Sequence, residues 1–319
     1  MKIATLLLAL ALPVVGSQDP LRCAPAKDLV LRKVFEREGH LKLAAFDMTV
    51  DGVSHRDMPK PELEVDLHEK SVFLDRCAEV EDERVTKLVR TYEHLSKERV
   101  QRIGGSEGTK EETANSHSDL EGAMVVFTWE AQDEVYGAAF EDGEGDSKLL
   151  EGLEAEIDLC AFLPPGAVQE GASWDVPAKA FGALICPGGN LKLVSDQGEA
   201  QGGEVEFARS LQGTIRATLL KANDDGLARI NLELEVDAST QRDLEDGSGT
   251  ERQSNDYKLS GELAWRTAGG HFHSIELTGS LRSAILTARD LEMDGREFHT
   301  DRTLELAGEV TYSLRALAP

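Results

Sequence analysis

Arg302-Thr303-Leu304-Glu305-Leu306-Ala307-Gly308-Glu309-Val310-Thr311-Tyr312-Ser313-Leu314-Arg315 alternates between two chemistries along its length. Leu304, Leu306, Gly308, Val310, Tyr312 and Leu314 share one face of a strand, and Thr303, Glu305, Ala307, Glu309, Thr311 and Ser313 share the other. At about 3.3 Å per residue such a strand spans roughly 45 Å, far beyond the usual five or six residues. A sheet of such strands must coil or close. Ile230, Leu232, Leu234 and Val236 repeat the pattern against Asn231, Glu233, Glu235 and Asp237, after a hairpin turn at Asn223-Asp224-Asp225-Gly226.

Within this alternation a leucine is repeatedly followed two residues later by glycine and then by another apolar residue. The copies are Leu120/Gly122/Met124, Leu211/Gly213/Ile215, Leu259/Gly261/Leu263, Leu277/Gly279/Leu281 and Leu306/Gly308/Val310. In a strand, each glycine sits between two inward side chains, where a sheet can bend. Uneven spacing rules out a solenoid or propeller. Gly261, Gly279 and Gly308 are therefore expected on the concave side of a curved C-terminal sheet. Around Thr267-Ala268-Gly269-Gly270, Trp265 and Ile275 both face inward only if the loop is odd in length or a bulge restores parity.

Further upstream, Leu29 to Glu36 and Leu41 to Val50 read as strands separated by a turn at Glu38-Gly39. Leu63, Val65 and Leu67 start a third strand whose register then becomes unclear. Val85 to Leu95 fits a helix or a strand, and strand is preferred. Asp146 or Ser147 caps a short helix carrying Leu149, Leu150, Leu153 and Ile157, stopped by Pro164-Pro165-Gly166. The expected fold is mainly β, with long curved antiparallel strands in one or two open sheets or half-barrels and a short helix near 147–158.

Residues 1–17 read as a secretory signal peptide: Lys2, an apolar run from Ile3 to Val15, and small residues at Gly16-Ser17. The run is shorter than the roughly 20 residues of a spanning helix, and no later segment qualifies, so no integral membrane segment is expected after its removal. The remaining organisation is an N-terminal β-rich region at 18–194 with a mobile loop at 104–118, a linker at 195–206 and a C-terminal antiparallel region at 207–319. The net charge is -25, which becomes -26 on loss of Lys2. That charge disfavours nucleic acid and anionic membrane as partners. Scattered acids alternating with apolar residues describe a solvated face.

Cys23, Cys77, Cys160 and Cys186 allow three disulfide pairings. Cys160 with Cys186, and Cys23 with Cys77, are favoured by the segments they bracket. No Cys/His spacing suggests zinc.

Catalytic signals are weak. Gly104-Gly105-Ser106-Glu107-Gly108 matches a nucleophile-elbow string, but its neighbours are polar rather than a strand and a helix. Asp142, Glu144 and Asp146 imitate a calcium loop whose sixth and twelfth positions are Ser147 and Leu153, in place of glycine and glutamate. Glu154, Glu156 and Asp158 read as the wet face of the short helix. His271 and His273 alternate so as to share a strand face, with His299 a conceivable third metal ligand. No catalytic residue and no cofactor is assigned.

The runs Leu149-Leu150-Glu151-Gly152-Leu153, Asp158-Leu159, Phe162-Leu163-Pro164, Gly171-Ala172-Ser173-Trp174-Asp175-Val176-Pro177 and Pro187-Gly188-Gly189 together form a pattern. With Asp75, Glu79-Val80 and Thr86-Lys87-Leu88-Val89-Arg90-Thr91-Tyr92, it resembles a family of uncharacterised secreted bacterial proteins over about half the chain. The resemblance implies a β-rich extracytoplasmic protein and carries no activity. Cys77, Cys160 and Cys186 fall where that family needs no cysteine, which favours a Cys160–Cys186 bond. Trp174 joins the three glycines as a structural candidate.

Two functions follow as expectations. The first is a secreted or periplasmic non-enzymatic protein in a binding or structural role, with an apolar small molecule held in a curved sheet, or an envelope protein, as partner. The second is a metal-assisted hydrolase centred on His271 and His273.

Overall fold

The computed structural model describes residues 21–55, 62–105, 108–196, 204–222, 226–244, 246–293 and 296–319. The signal-peptide expectation for 1–17 and the turn residues 223–225 lie outside them. The strands are β1 (Val30–Val50), β2 (Val53–Ser54), β3 (Glu62–Glu81), β4 (Arg84–Gly105), β5 (Gly108–His117), β6 (Met124–Glu130) and β7 (Val135–Phe140). After an insert come β8 (Ser173–Val176), β9 (Val194–Ser195), β10 (Gln212–Ala222), β11 (Leu227–Asp243), β12 (Gly249–Arg266), β13 (His271–Met293) and β14 (Arg296–Leu317). Two short helices, α1 (Gly182–Ile185) and α2 (Glu204–Ser210), belong to the same covering layer as the insert.

All these strands belong to one open antiparallel sheet whose main path is β7-β6-β4-β3-β1-β14-β13-β12-β11-β10-β8, with β2 paired to β1, β5 to β4 and β9 to β5, so the first half joins the second through β1 and β14. The sheet does not close into a barrel. At about 3.3 Å per residue, the 23 residues of β13 extend roughly 75 Å.

Three of the motif glycines lie on a diagonal across the sheet. Gly261 lies opposite Leu277, Gly279 opposite Leu259 and Val310, and Gly308 opposite Leu281 and Leu41, a shift of two residues per strand. A Cβ at Gly261, Gly279 or Gly308 would collide with the backbone carbonyl oxygen of Glu276, Lys258 or His40, respectively. Only a residue without a side chain lets the neighbouring strand coil this closely. The Leu120/Gly122/Met124 copy is different. Gly122 has φ +85° and donates its N–H to the Tyr92 carbonyl in a turn ahead of β6.

Four local expectations are corrected. Glu38-Gly39 is not a turn: β1 runs straight through it, because both neighbouring strands pair with it without interruption. Most of the expected loop at 104–118 is strand, with β4 reaching Gly105 and β5 pairing back along it from Gly108, while Ser106 and Glu107 of the nucleophile-elbow string lie outside the described residues. The 147–158 helix shrinks to a 3-10 turn at Ser147–Leu150, capped by the Asp146 side chain, and Gly152 at φ +78° ends it. Part of the stretch read as a linker lies outside the described residues, and α2 begins inside it at Glu204. At Thr267–Gly270, a bulge between Ala264 and Trp265 puts Trp265 opposite Phe272, while Leu263 stays opposite Ile275.

The insert fills the concave face. Phe162, Phe181, Leu184, Ile185 and Phe207 are buried in one apolar cluster with inward residues of the sheet. Phe181 makes edge-on ring contacts with Tyr257 and Tyr312, each with centroids 5.3 Å apart. Trp174 is half-buried on edge strand β8 and donates its indole N–H to the Phe162 carbonyl at 3.0 Å. The body of the half-barrel is thus packed with the chain's own side chains.

Candidate functional site

The inward face of the N-terminal strands carries charge as well as hydrocarbon. Inward positions of β1 read Leu31, Lys33, Phe35, Arg37 and Leu41, and those of β3 read Val65, Glu69, Ser71, Phe73 and Asp75, all buried. Register brings these charges together. Arg37 lies opposite Glu69, which lies opposite Lys97, and Asp75 lies opposite Arg90.

The Asp75 cluster is completely enclosed. Arg90 donates Nε and Nη2 to the two Asp75 oxygens at 2.7 and 2.9 Å, and Lys33 reaches Asp75 at 2.9 Å. Arg90 also donates Nη1 to the Glu154 carbonyl and Nη2 to the Ala155 carbonyl, at 2.9 and 2.8 Å. Burial pushes the Asp75 carboxyl up, but the charges of Arg90 and Lys33 outweigh it and hold the pKa at about 2. Arg90 is therefore a staple between sheet and insert.

A second cluster fastens α2. Arg37 reaches Glu69 at 2.5 Å and Glu204 at 2.8 Å, and Lys97 reaches Glu204 at 2.7 Å. Burial raises the Glu69 pKa against the pull of Arg37. Burial also pushes Glu204 up, but Arg37 and Lys97 hold it at about 2. A cavity of about 220 Å³ adjoins this cluster, bordered by Glu69, Cys186, Asn190, Glu204 and Arg209. The second cluster matches two cations with two carboxylates, the first sets two cations on the single carboxylate of Asp75, and neither presents a nucleophile beside a base.

The inward apolar set continues beyond the insert. Next to the last buried row, Leu43 lies opposite Leu306, and Leu63 opposite Ile103; one step further, Phe46, Leu304 and Ile285 stand opposite one another. A bulge between Leu43 and Ala45 keeps Phe46 on the inner face. Leu43, Phe46, Leu63, Ile103, Ile285 and Leu304 are only half-buried, in contrast to Leu41 and Leu281 below them. This is the open end of the half-barrel: an apolar floor under charged outward neighbours such as Lys42, Glu64 and Glu305.

The predicted metal ligands do not converge. His271 sits at the β12–β13 turn beside a small cavity of about 60 Å³, with Nδ1 2.7 Å from the Phe272 carbonyl and burial lowering its pKa. His273 borders a different, outward groove with Glu262, Glu276 and Arg315. His299 lies near the far end of β14, opposite Asp290, and its pKa is raised by hydrogen bonding to that carboxylate, 2.7 Å away. From His271 to Asp290 is 19 residues of one strand, roughly 60 Å. Among the described residues, the one His/Cys/Asp/Glu group close enough to share an ion is Cys23, Asp158 and Cys160. Its two sulfurs are already bonded to each other. Among the described residues, no group of three ligands includes His271 or His273.

The cysteine pairing is also corrected. Cys23 is bonded to Cys160, with Cα atoms 5.5 Å apart, while Cys77 and Cys186 are free and buried. Burial raises both free thiols, Cys186 to about 12. Cys23 precedes β1, and Cys160 opens a 3-10 turn of the insert. The bond is therefore a covalent strap between sheet and insert beside the Arg90 staple, a juxtaposition that sequence spacing does not encode.

No protein-family model matches the chain, and no curated protein matches it. Among solved structures it is similar to the COG4313 outer membrane channel from Pseudomonas putida F1, at 8% identity over 92% of this chain and 98% of the channel, with a TM-score of 0.20. It is also similar to the Salmonella SPI-1 type III secretion injectisome secretin InvG, at 9% identity over 91% of this chain and 64% of the secretin, with a TM-score of 0.14. Scores this low define no shared fold. The class that the fold defines is an open, coiled, antiparallel β-sheet protein with a self-filled concave face. No helix among the described residues is long and apolar enough to cross a membrane.

Proposed function

We propose that this protein is an extracytoplasmic, non-enzymatic binding protein that takes an apolar ligand at the open end of its concave face. The observation that carries the reading is the half-exposed floor of Leu43, Phe46, Leu63, Ile103, Ile285 and Leu304, which continues the core face past the end of its covering insert. Apolar binding surfaces have this form, an open hydrocarbon patch rimmed by polar residues. The signal-like sequence at 1–17 and the Cys23–Cys160 bond support an oxidising compartment. Because the body of the half-barrel is filled, the ligand lies on the floor at its mouth and is not enclosed within it.

The test is extraction of the protein purified from its native compartment, followed by mass spectrometry and by titration with a fluorescent fatty acid. Phe46→Asp and Ile285→Asp place charge on the floor at residues outside the apolar core cluster, and each is expected to weaken probe binding at least tenfold while the unfolding transition stays cooperative. Absence of extracted lipid together with equal probe binding by both variants refutes the reading.

A further inference from the structure

One edge of the sheet lacks three of the devices that normally keep edges inert. β7 ends the strand order, and among the described residues no strand pairs with its outer side. Its sequence, Val135-Tyr136-Gly137-Ala138-Ala139-Phe140, contains no charge and no proline, and its pairing to β6 shows no bulge. Charge, proline and bulges are three of the devices that blunt natural edge strands, beside short length and a covering helix or loop. The opposite edge, β8, is only four residues long and carries Asp175. Gly137, Ala138 and Ala139 also give β7 a low profile along which another backbone can lie.

Its free hydrogen-bonding groups can be assigned. The Glu141 N–H donates to the Met124 carbonyl, and the register places Phe140 opposite Val125. In an antiparallel ladder this makes Val135, Gly137 and Ala139 the residues bonded to β6, and turns the backbone groups of Tyr136, Ala138 and Phe140 outward. The Phe140 carbonyl is taken by the Gly143 N–H at 3.2 Å. The N–H and C=O of Tyr136 and Ala138 and the N–H of Phe140 form the unpaired row.

Charge selects what can use it. Glu130 at the end of β6 and Asp133 and Glu134 in the turn before β7 are exposed, and the loop after β7 exposes Glu141, Asp142 and Glu144. An antiparallel second copy of β7 would bring these acids face to face, so self-pairing is opposed. We propose that β7 is a docking edge for a partner protein that adds an extended strand flanked by Lys or Arg. Main-chain hydrogen bonds hold the strand, and the acids at both ends choose its charge. The surface is separate from the apolar floor on the inner face, and its test reads backbone pairing rather than lipid.

The probe is the capped synthetic peptide Lys-Lys-Thr-Val-Thr-Val-Thr-Lys-Lys, compared with the same peptide carrying Glu in place of every Lys. Calorimetry measures binding to the full chain, and hydrogen exchange locates it. The basic peptide is expected to bind at least tenfold more tightly than the acidic one, to lose that advantage in high salt, and to slow exchange at Tyr136 and Ala138. Ala138→Pro deletes an outward N–H while leaving the bonds of Gly137 and Ala139 to β6, so it is expected to reduce binding tenfold or more. Glu130→Gln with Glu134→Gln and Glu141→Gln leaves the edge intact and is expected to weaken only the basic peptide. Equal binding by Ala138→Pro with unchanged global unfolding, protection elsewhere in the chain, failure of the basic peptide to bind, or self-association through β7 in sedimentation would each overturn the proposal.

Discussion

Replacing Arg90 by methionine exchanges a buried guanidinium for a flexible apolar chain that ends about where the Arg Nε lies. The wild-type group makes two hydrogen bonds to Asp75 and one each to the carbonyls of Glu154 and Ala155, and it lies 5.1 and 5.3 Å from the ring centroids of Phe73 and Phe127. The substitution leaves Asp75 buried with Lys33 alone. Removing one partner of a buried ion pair costs about 3–5 kcal/mol, and each carbonyl left dry adds about 1–3 kcal/mol. These terms overlap as the insert relaxes and water enters, so a net loss of about 4 kcal/mol is expected, a large share of a stability of about 5–15 kcal/mol. Guanidinium unfolding at pH 7 measures the loss, and hydrogen exchange should show residues 153–157 opening first. Adding Asp75→Leu removes the stranded carboxylate, so the double variant should be more stable than the sum of the two single losses by roughly 2 kcal/mol or more. A loss below about 1 kcal/mol for Arg90→Met, or strict additivity in the double variant, refutes the staple.

The same carboxylates set the acid limit. Asp75 and Glu204 titrate at about 2 in the folded chain, below their ordinary values of 3.8 and 4.5, so they stabilise fully above pH 5 and lose that contribution as pH falls toward 2. For Asp75 alone the difference corresponds to about 2 kcal/mol, and its signature is that Asp75→Asn flattens the acid limb of stability measured between pH 5 and pH 2. Gly279→Ala drives a methyl group into the Lys258 carbonyl and is expected to cost about 1–3 kcal/mol or more, whereas Gly166→Ala, with nothing near its Cβ, is expected to be neutral in the same unfolding assay. Cys160→Ser opens a link across 137 residues and should cost about 2–5 kcal/mol, while thiol labelling of Cys77 and Cys186 should occur only on unfolding.

Alternation was a reliable guide wherever the inner face is purely apolar. β11 and β14 follow their sequence reading closely, and the glycines at 261, 279 and 308 lie at inward positions where a neighbouring carbonyl leaves no room for a side chain. The pattern fades in β3 for a physical reason. After Leu63, Val65 and Leu67 the inward series continues as Glu69, Ser71, Phe73 and Asp75, so a periodicity test sees a broken strand where the ladder to β1 is continuous. The charges that make this burial tolerable are Arg37 and Lys33 on β1, and Lys97 and Arg90 on β4; none is on β3 itself. An isolated strand with buried acids reads as an exposed one until its neighbours are known, and Gly39 likewise reads as a turn until both flanking strands are paired. Disulfide choice failed for the same cause, since Cys160 reaches Cys23 only because the insert folds back over the sheet. The apolar floor was visible as residues, in Leu43, Phe46 and Leu304, but their exposure depends on where the insert stops. What places a binding surface in this molecule is therefore the length difference between strands and cover, which strand periodicity does not encode.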